Sequence, residues 1–304
     1  MTTLLPRRAR IVSPTSIVQL EYSPHPLPKP EPTGPRAWTR FVLLSDTHAH
    51  TFPVPDGDVL LHSGDLTRRG TFRDLRRTLD WLCALPHPIK IIIAGNRDFS
   101  LDREWYDANW EQTGSADKVA TWEPPDPISE LLTGPRAVAA HIVYLRDQEY
   151  KFQVRPGGRE WTVYGSPQSP NFGARVRAFG YDAADAEAIV SSFPTTDILL
   201  THGPPHGVLD RTTKATLAGC PALAARLAAL RPRLHVFGHI HEARGAYVHL
   251  WEGAARPSAQ VVDAADEAVA AGAQTVFVNA ATFPAGPNAP RTGVGGPVVV
   301  DLLE

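Results

Sequence analysis

The chain has 304 residues, of which 43% are hydrophobic and 20% are charged, so it can bury a full core and extensive disorder is excluded. Its 30 lysines and arginines against 32 aspartates and glutamates give a formal net charge of -2. This balance excludes a broad basic surface for nucleic acid. Two cysteines are too few for a disulfide framework or a cysteine-rich zinc site. The 29 prolines and 12 histidines are the unusual counts, and their positions carry most of the information.

The N-terminal sequence MTTLLPRR lacks the apolar stretch of a secretory signal. No apolar run approaches the roughly 20 residues of a membrane span, and neither end carries a lipidation pattern. The low cysteine count fits a reducing compartment. We therefore expect a cytoplasmic protein with no membrane partner, and the sequence leaves the oligomeric state open.

The first predicted feature is a proline-rich N-terminal arm over residues 1–38. Proline stands at every second position from Pro24 to Pro32, which forbids helix and favours an extended strap. Short apolar runs then predict buried strands at 40–45, 58–62 and 89–94. Between the second and third of these, apolar residues at helical spacing predict a helix over 71–85. Strands alternating with a helix indicate a parallel sheet with right-handed crossovers.

The middle of the chain has a different pattern. Alternating apolar and polar residues over 141–164 predict an antiparallel meander, with a turn at the PGG sequence of residues 156–158. Further helices are predicted at 182–192 and 220–230. Further strands are predicted at 197–201, 234–238, 247–250, 275–279 and 298–302.

An alanine-rich stretch at 252–273 is interpreted as an insertion with a helix near 258–271. The remaining elements predict a single domain over 39–304. Its fold class is α/β (α+β), a four-layer αββα sandwich in which helices flank two mixed β-sheets. No internal repeat interrupts this arrangement.

Polar side chains follow five of the predicted strands, at the point where each strand ends. They lie in the sequences SDTH, GD, GNRD, THG and GHIH, and the candidate ligands are Asp46, His48, Asp65, Asn96, His202, His239 and His241. In open α/β sheets, ligands bind at the carboxyl edge of the strands. Imidazole and carboxylate without thiolate suit zinc, iron, manganese or nickel better than a calcium cage. Seven donors fit two ions that share a carboxylate, which can clamp a phosphate and activate water.

This series resembles the calcineurin-like metallophosphoesterase superfamily, and in particular its metallophosphoesterase-domain-containing branch with the fungal relatives, which is related to class III cyclic nucleotide phosphodiesterases. The resemblance extends from about residue 40 to 283 and is carried by SDTH, PDGDVLLHSGDLT, AGNRDFSLD, YGSPQSPNF, THGPPHGVLD, HVFGHIHEARG and TVFVNAAT. It implies hydrolysis of small phosphomonoesters or cyclic and other phosphodiesters by a metal-bridging hydroxide. It also implies two divalent ions, drawn from Mn, Fe, Zn, Ni and Mg.

The resemblance assigns a role to each ligand by its place in the family pattern. The first metal would be held by Asp46, His48 and His241, the second by Asn96, His202 and His239, and Asp65 would bridge them. These seven residues are the predicted metal site.

The sequence departs from the family pattern at Arg97, where the family has a histidine that helps to bind phosphate and assists the leaving group. Arginine can still bind phosphate or carboxylate, but its pKa prevents it from donating a proton. Losing a general acid costs about 10²–10⁴-fold in rate. Asp98 and His206 complete the candidate catalytic residues: Asp98 as an ion-pair partner that orients the loop, and His206, after ligand His202, as a replacement proton donor.

Three functions therefore remain open. The first is a dimetal phosphoesterase. The second is a dimetal enzyme of another reaction class, with iron among its metals, acting on a carboxylate-bearing metabolite held by Arg97. The third is a weakly active metal- or ligand-binding regulatory protein. In each case the expected partner is a small phosphate ester or carboxylate, with no nucleic acid polymer.

Overall fold

The structure is a computed structural model and describes residues 10–22, 27–32, 36–114, 121–171, 177–252, 273–283 and 295–304. Two large sheets pack face to face. The first contains, in spatial order, β1 (Arg10–Ser13), β2 (Ser16–Gln19), β15 (Val298–Leu303), β3 (Trp38–Leu44), β4 (Val59–Ser63), β5 (Ile89–Ile93) and β6 (Ile142–Leu145). The second contains β13 (Gly245–Leu250), β14 (Gln274–Asn279), β12 (Leu234–Phe237), β11 (Ile198–Thr201), β8 (Glu160–Ser166) and β7 (Gln148–Gln153). The short strands β9 (Ser169–Pro170) and β10 (Gly180–Tyr181) pair separately.

Helices cover the outer faces of both sheets. They are α1 (Phe72–Ala84), α2 (Arg103–Asn109), α3 (Pro125–Thr133), α4 (Pro135–Ala139), α5 (Ala186–Ser191) and α6 (Pro221–Leu230). The Thr71 hydroxyl caps α1 by accepting the backbone N–H of Asp74, which sets where this helix begins. One face of α1 then buries Leu75, Leu79 and Leu82 against the first sheet.

Three apolar clusters fill the space between the layers. The central cluster joins the two sheets, where Phe41 and Leu61 of the first meet Trp161 and Val236 of the second. A second cluster lies between the first sheet and α1 with α3, and a third lies between the second sheet and α5 with α6. This arrangement confirms the predicted αββα sandwich.

Parallel pairing brings the important strand ends together. In the first sheet β3 pairs with β4 and β4 with β5, all parallel. In the second sheet β8, β11, β12 and β14 are also parallel neighbours. The carboxyl ends of these strands therefore lie along one edge of the sandwich.

The predicted meander over 141–164 is wrong at its first strand. β6 runs parallel to β5 in the first sheet, because α2, α3 and α4 form a crossover that the sequence analysis did not predict. Asp147, with φ of 52°, then turns the chain into the second sheet. There β7 and β8 form the predicted antiparallel hairpin, with its turn at residues 154–159.

The N-terminal segment contains β1 and β2, which the sequence analysis also did not predict. β2 pairs with β15, near the other end of the chain, and β1 pairs with β2 at the edge of the sheet. Residues 27–32 have no regular secondary structure, and the buried guanidinium of Arg40 donates to the carbonyls of Leu27 and Pro28. Pro24 and the predicted insertion helix near 258–271 lie outside the described residues. Among the helices described, none combines the length and apolarity needed to cross a membrane.

Candidate metal centre

The predicted ligands leave the ends of five parallel strands and meet at one edge of the sandwich. The backbone there is unusual: Asp46, His48, Asp65 and His239 all have positive φ, between 47° and 67°. Non-glycine residues adopt this region at a cost, and such residues cluster at functional sites because the surrounding structure holds them there. The strand ends therefore turn sharply and aim their polar side chains at a common centre.

Two glycines make this convergence possible. A Cβ on Gly64 would lie 2.6 Å from Nδ1 of His202, and Gly64 has a φ of 98°. A Cβ on Gly238 would lie 2.1 Å from Oδ2 of Asp46. Glycine thus precedes Asp65 and His239 because no side chain fits between the converging strand ends.

One group of donors gathers around Asp46. Nε2 of His241 lies 3.0 Å from Oδ1 of Asp46 and 3.4 Å from Nε2 of His48. The ligand atoms of these three residues all lie within 4.8 Å of one another. Oδ2 of Asp46 accepts the backbone N–H of His239, and this hydrogen bond holds the carboxylate in place.

A second group gathers around Asn96. Its Oδ1 lies 2.9 Å from Nε2 of His202 and 2.8 Å from Nδ1 of His239. The two imidazole nitrogens are themselves 3.3 Å apart. Three potential ligand atoms, each from a residue that follows β5, β11 or β12, thus lie within 3.3 Å of one another.

Asp65 lies between the two groups. Its Oδ2 is 3.9 Å from Nε2 of His48 in the first group, and its Oδ1 is 3.5 Å from Nε2 of His202 in the second. The backbone N–H of Arg97 donates to Oδ1 at 2.7 Å and holds the carboxylate in place. Each oxygen of Asp65 therefore faces a different donor group.

Carbonyl oxygens select which ring nitrogen faces the site. Nδ1 of His48 lies 3.1 Å from the carbonyl oxygen of Thr67, and Nδ1 of His202 lies 2.9 Å from that of Ser63. A carbonyl only accepts, so these Nδ1 atoms carry the protons and Nε2 carries a lone pair. Both imidazoles therefore present an acceptor to the centre.

Burial is the main cause of the pKa shifts of His48, His239 and Asp65. It lowers the pKa of His48 to about 4 and that of His239 to about 3, so both imidazoles stay neutral near pH 7. Burial, and then the nearby charges of Asp46 and Asp98, raise the pKa of Asp65 well above its usual range. For His241, burial works against the charged form, but the charge and hydrogen bond of Asp46 raise its pKa to about 9.

This donor set fits divalent cations. Buried lone pairs of imidazole, amide and carboxylate converge within about 3–4 Å, and Asp46 is fully buried. Such a cluster of acceptors and like charges is costly unless a cation sits among them. The chemistry is that of a nitrogen- and oxygen-ligated centre, with carboxylate and imidazole on one side of Asp65 and amide and imidazole on the other.

The three candidate catalytic residues occupy different surroundings. Arg97 is half-buried beside the cluster, with its guanidinium carbon 5.9 Å from the centre of the Phe99 ring. Asp98 is fully buried, and its carboxylate accepts the backbone N–H groups of Gly95, Leu66 and Thr67. It also accepts the Thr67 hydroxyl, so its partners are loop donors rather than an arginine.

His206 is exposed on the loop that follows His202, and its backbone N–H donates to the carbonyl of Cys220. Among the described residues no hydrogen bond connects its imidazole with the cluster. The structure therefore does not bring His206 into contact with the predicted ligands.

Two further histidines contact residues next to the predicted ligands, and the sequence did not identify these contacts. Nε2 of His62 lies 2.9 Å from the hydroxyl of Thr47, which stands between Asp46 and His48. In the second sheet, Nε2 of His235 lies 2.9 Å from the hydroxyl of Thr201. A histidine inside an apolar strand was the available signal, but the sequence alone does not show which side chain it faces.

Comparison with known proteins matches residues 39–243 to the calcineurin-like phosphoesterase family model. "Metallophosphoesterase domain-containing protein 1" of Homo sapiens is 34% identical over 76% of this chain and 68% of its own length. A UPF0046 protein of Caenorhabditis elegans is 30% identical over 70% of this chain and 67% of its own. "Probable rhamnogalacturonate lyase C" of Emericella nidulans is 34% identical over 74% of this chain but only 19% of that protein. A solved crystal structure shares the fold alone, with a TM-score of 0.50 and 12% identity over 81% of this chain and 91% of its own.

Proposed function

The chain belongs to the calcineurin-like phosphoesterase family as a metal-dependent phosphoesterase, and we propose that it hydrolyses small phosphomonoesters or phosphodiesters at a centre of two divalent ions. The observation that carries the proposal is the position of Asp65, with one carboxylate oxygen facing each of two donor groups. In this proposal, Asp46, His48 and His241 hold one ion, and Asn96, His202 and His239 hold the other, with Asp65 shared.

Two such ions would supply positive charge for the phosphoryl oxygens and would lower the pKa of a water molecule. The protein's own contribution is preorganisation. Thr67 and Ser63 fix the tautomers of His48 and His202, so their lone pairs need no reorientation before a cation binds. Arg97 adds a fixed positive charge at the rim, where it can stabilise the charge that develops on the transferred phosphate.

Arg97 also shapes the reaction. Its guanidinium stays protonated and cannot donate a proton to the leaving oxygen. The proposal therefore favours esters with stable leaving groups, such as nitrophenyl esters, over alkyl esters.

The test combines metal analysis with hydrolysis. Protein purified anaerobically is loaded with Mn²⁺, Fe²⁺, Zn²⁺, Ni²⁺ or Mg²⁺, and metal content and hydrolysis of a panel of phosphate esters are measured. The Asp65→Asn variant is expected to bind fewer than two ions and to lose activity. The matched control is Asp107→Asn, an exposed aspartate on α2, which should behave like the parent protein.

Two outcomes would overturn the proposal. Two bound ions without hydrolysis of any phosphate ester would exclude phosphoesterase activity and favour another dimetal reaction or a regulatory role. An Asp65→Asn variant that keeps both ions and full activity would remove the bridging role.

A further inference from the structure

Arg69 lies on a chain segment that packs directly against the segment of Arg97. A Cβ on Gly70, the next residue, would lie 2.6 Å from the backbone nitrogen of Phe99. The hydroxyl of Thr67 joins the same two segments by donating to the carboxylate of Asp98, at 2.7 Å. Both arginines therefore stand on adjoining loops, at the same side of the metal centre.

Other groups of the protein orient both guanidinium groups in advance. The guanidinium of Arg97 lies near the ring of Phe99, which is itself buried and stacked on Trp105 with ring centres 5.1 Å apart. Nη1 of Arg69 donates to the carbonyl oxygens of Thr113, at 2.6 Å, and of Gly114. A long side chain that is already held loses little conformational entropy when an anion binds.

The positive charges of Arg69 and Arg97 act on each other across the adjoining segments. Burial lowers the pKa of Arg69, and the positive charge of Arg97 lowers it further. Arg97 directly follows the proposed ligand Asn96, and its backbone N–H donates to Asp65, whereas the guanidinium of Arg69 is held by the carbonyls of Thr113 and Gly114.

No described carboxylate forms an ion pair with either of these arginines. Asp65 accepts the backbone N–H of Arg97, and Asp98 is occupied by loop N–H groups and a hydroxyl. The carboxylate of Asp74 binds Arg68 instead, at 2.7 Å. Two positive side chains on adjoining segments, with no ion-pair partner among the described residues, attract an anion.

We infer that Arg69 and Arg97 form a two-arginine anion subsite, and that the substrate is a phosphate ester whose alcohol part carries a second anionic group. Arg97, nearer the metal ligands, faces the phosphate that reacts. Arg69 faces the second group, a carboxylate or a further phosphate on the same small molecule. The inference rests on the proposed function and narrows it to doubly anionic substrates.

The test compares phenyl phosphate with 4-carboxyphenyl phosphate, using metal-loaded protein. Arg69→Gln is expected to lower kcat/KM for the carboxylated ester by about 10- to 100-fold, the range for losing a charge-assisted hydrogen bond, mainly through KM. Its kcat/KM for phenyl phosphate should change less than about 2-fold. Arg68→Gln is the matched control, since Arg68 is the preceding residue but is paired with Asp74, and both esters should be unaffected. Arg69→Lys, which keeps the charge, should restore part of the preference.

A binding measurement separates the inference from the proposed function. Calorimetry on the metal-loaded protein compares inorganic phosphate with phosphoglycolate, which adds a carboxylate. Tighter binding of phosphoglycolate, by at least about 10-fold and abolished by Arg69→Gln, supports the subsite even if neither ester is hydrolysed. Equal affinity for the two anions overturns it. Hydrolysis of both esters with equal loss on Arg69→Gln also overturns it and leaves the phosphoesterase proposal intact.

Discussion

The hydroxyl of Thr47 and Nε2 of His62 lie 2.9 Å apart in the interior of the protein, where both residues are fully buried. Burial lowers the pKa of His62 to about 3, so the imidazole is neutral and the pair is a neutral hydrogen bond. Thr47 stands between Asp46 and His48, both of which have positive φ. The hydrogen bond therefore anchors the middle of a strained segment that carries two proposed ligands.

Thr47→Val tests this anchoring role. The variant keeps the shape of the side chain but leaves Nε2 of His62 buried and unpaired, so the free energy of unfolding should fall by about 1–3 kcal/mol. Metal affinity should fall by about 10-fold or more, because Asp46 and His48 lose the contact that fixes their backbone. Unfolding of the metal-free protein and a metal titration measure the two effects separately.

Thr275→Val serves as the control for Thr47→Val. The Thr275 hydroxyl is also buried and donates to the carbonyl of Pro232, away from the proposed ligands. This variant should lose a similar amount of stability with unchanged metal affinity. If Thr47→Val behaves in the same way, the Thr47–His62 bond contributes to stability only.

Arg97→His tests whether the missing general acid limits hydrolysis. Histidine in this position can donate a proton to the leaving oxygen, so kcat for an alkyl phosphate should rise by about 10²–10⁴-fold. A nitrophenyl ester should gain much less, because its leaving group needs no proton. Steady-state kinetics on the two esters give the ratio.

The control for this substitution is Arg97→Gln, which removes the positive charge without adding a proton donor. It should not gain activity on either ester. Unchanged or lower alkyl phosphate turnover in Arg97→His would show that the absent histidine is not the limiting factor.

Local patterns were enough to predict the centre of the fold. The strands that carry the site, such as β3, β4 and β11, are short buried apolar runs, and the structure has them within two residues of the predicted bounds. The strands β1 and β2, on one side of the first sheet, were missed although β11, which was predicted, is equally short. β2 pairs with β15, which is almost the whole chain away, and β1 pairs with β2. Local sequence patterns do not contain the information for this long-range pairing.

The prediction for the site had a similar limit. Polar residues after parallel strands indicated which side chains meet, and the structure brings all seven together. Their supports could not be predicted, because backbone atoms provide them: the carbonyl of Thr67 orients His48, and N–H groups bind Asp98. In the sequence, the adjacent Arg97 and Asp98 suggest an ion pair. In the structure, the carboxylate of Asp98 instead accepts the backbone N–H groups of Leu66 and Thr67.

Asp98→Asn tests whether this carboxylate organises the loops. The amide keeps one acceptor but turns an NH₂ group toward backbone donors, so the free energy of unfolding should fall by about 2–4 kcal/mol. Because Asp98 holds Thr67 and Thr67 orients His48, metal affinity should fall as well. Asp80→Asn, on the exposed face of α1, is the control. Wild-type stability and affinity in Asp98→Asn would contradict the organising role.

The buried imidazole of His235 makes stability depend on pH. It is fully buried against Phe237 and Phe277, and burial lowers its pKa from 6.5 to about 3. Below pH 6.5 the unfolded chain therefore binds a proton that the folded protein excludes. The contribution of His235 to stability is complete above pH 6.5 and is lost as the pH falls from there towards 3.

As the pH falls from 7 to 5, protonation of His235 in the unfolded chain should lower the free energy of unfolding by about 2 kcal/mol. His235→Gln should remove this pH-dependent loss of stability, whereas Thr275→Val, which removes no titratable group, should change with pH as the parent protein does. Urea unfolding at both pH values, with metal removed, measures the slopes. Parallel slopes for His235→Gln and the parent protein would mean that His235 is protonated in the folded state, against what its apolar surroundings require.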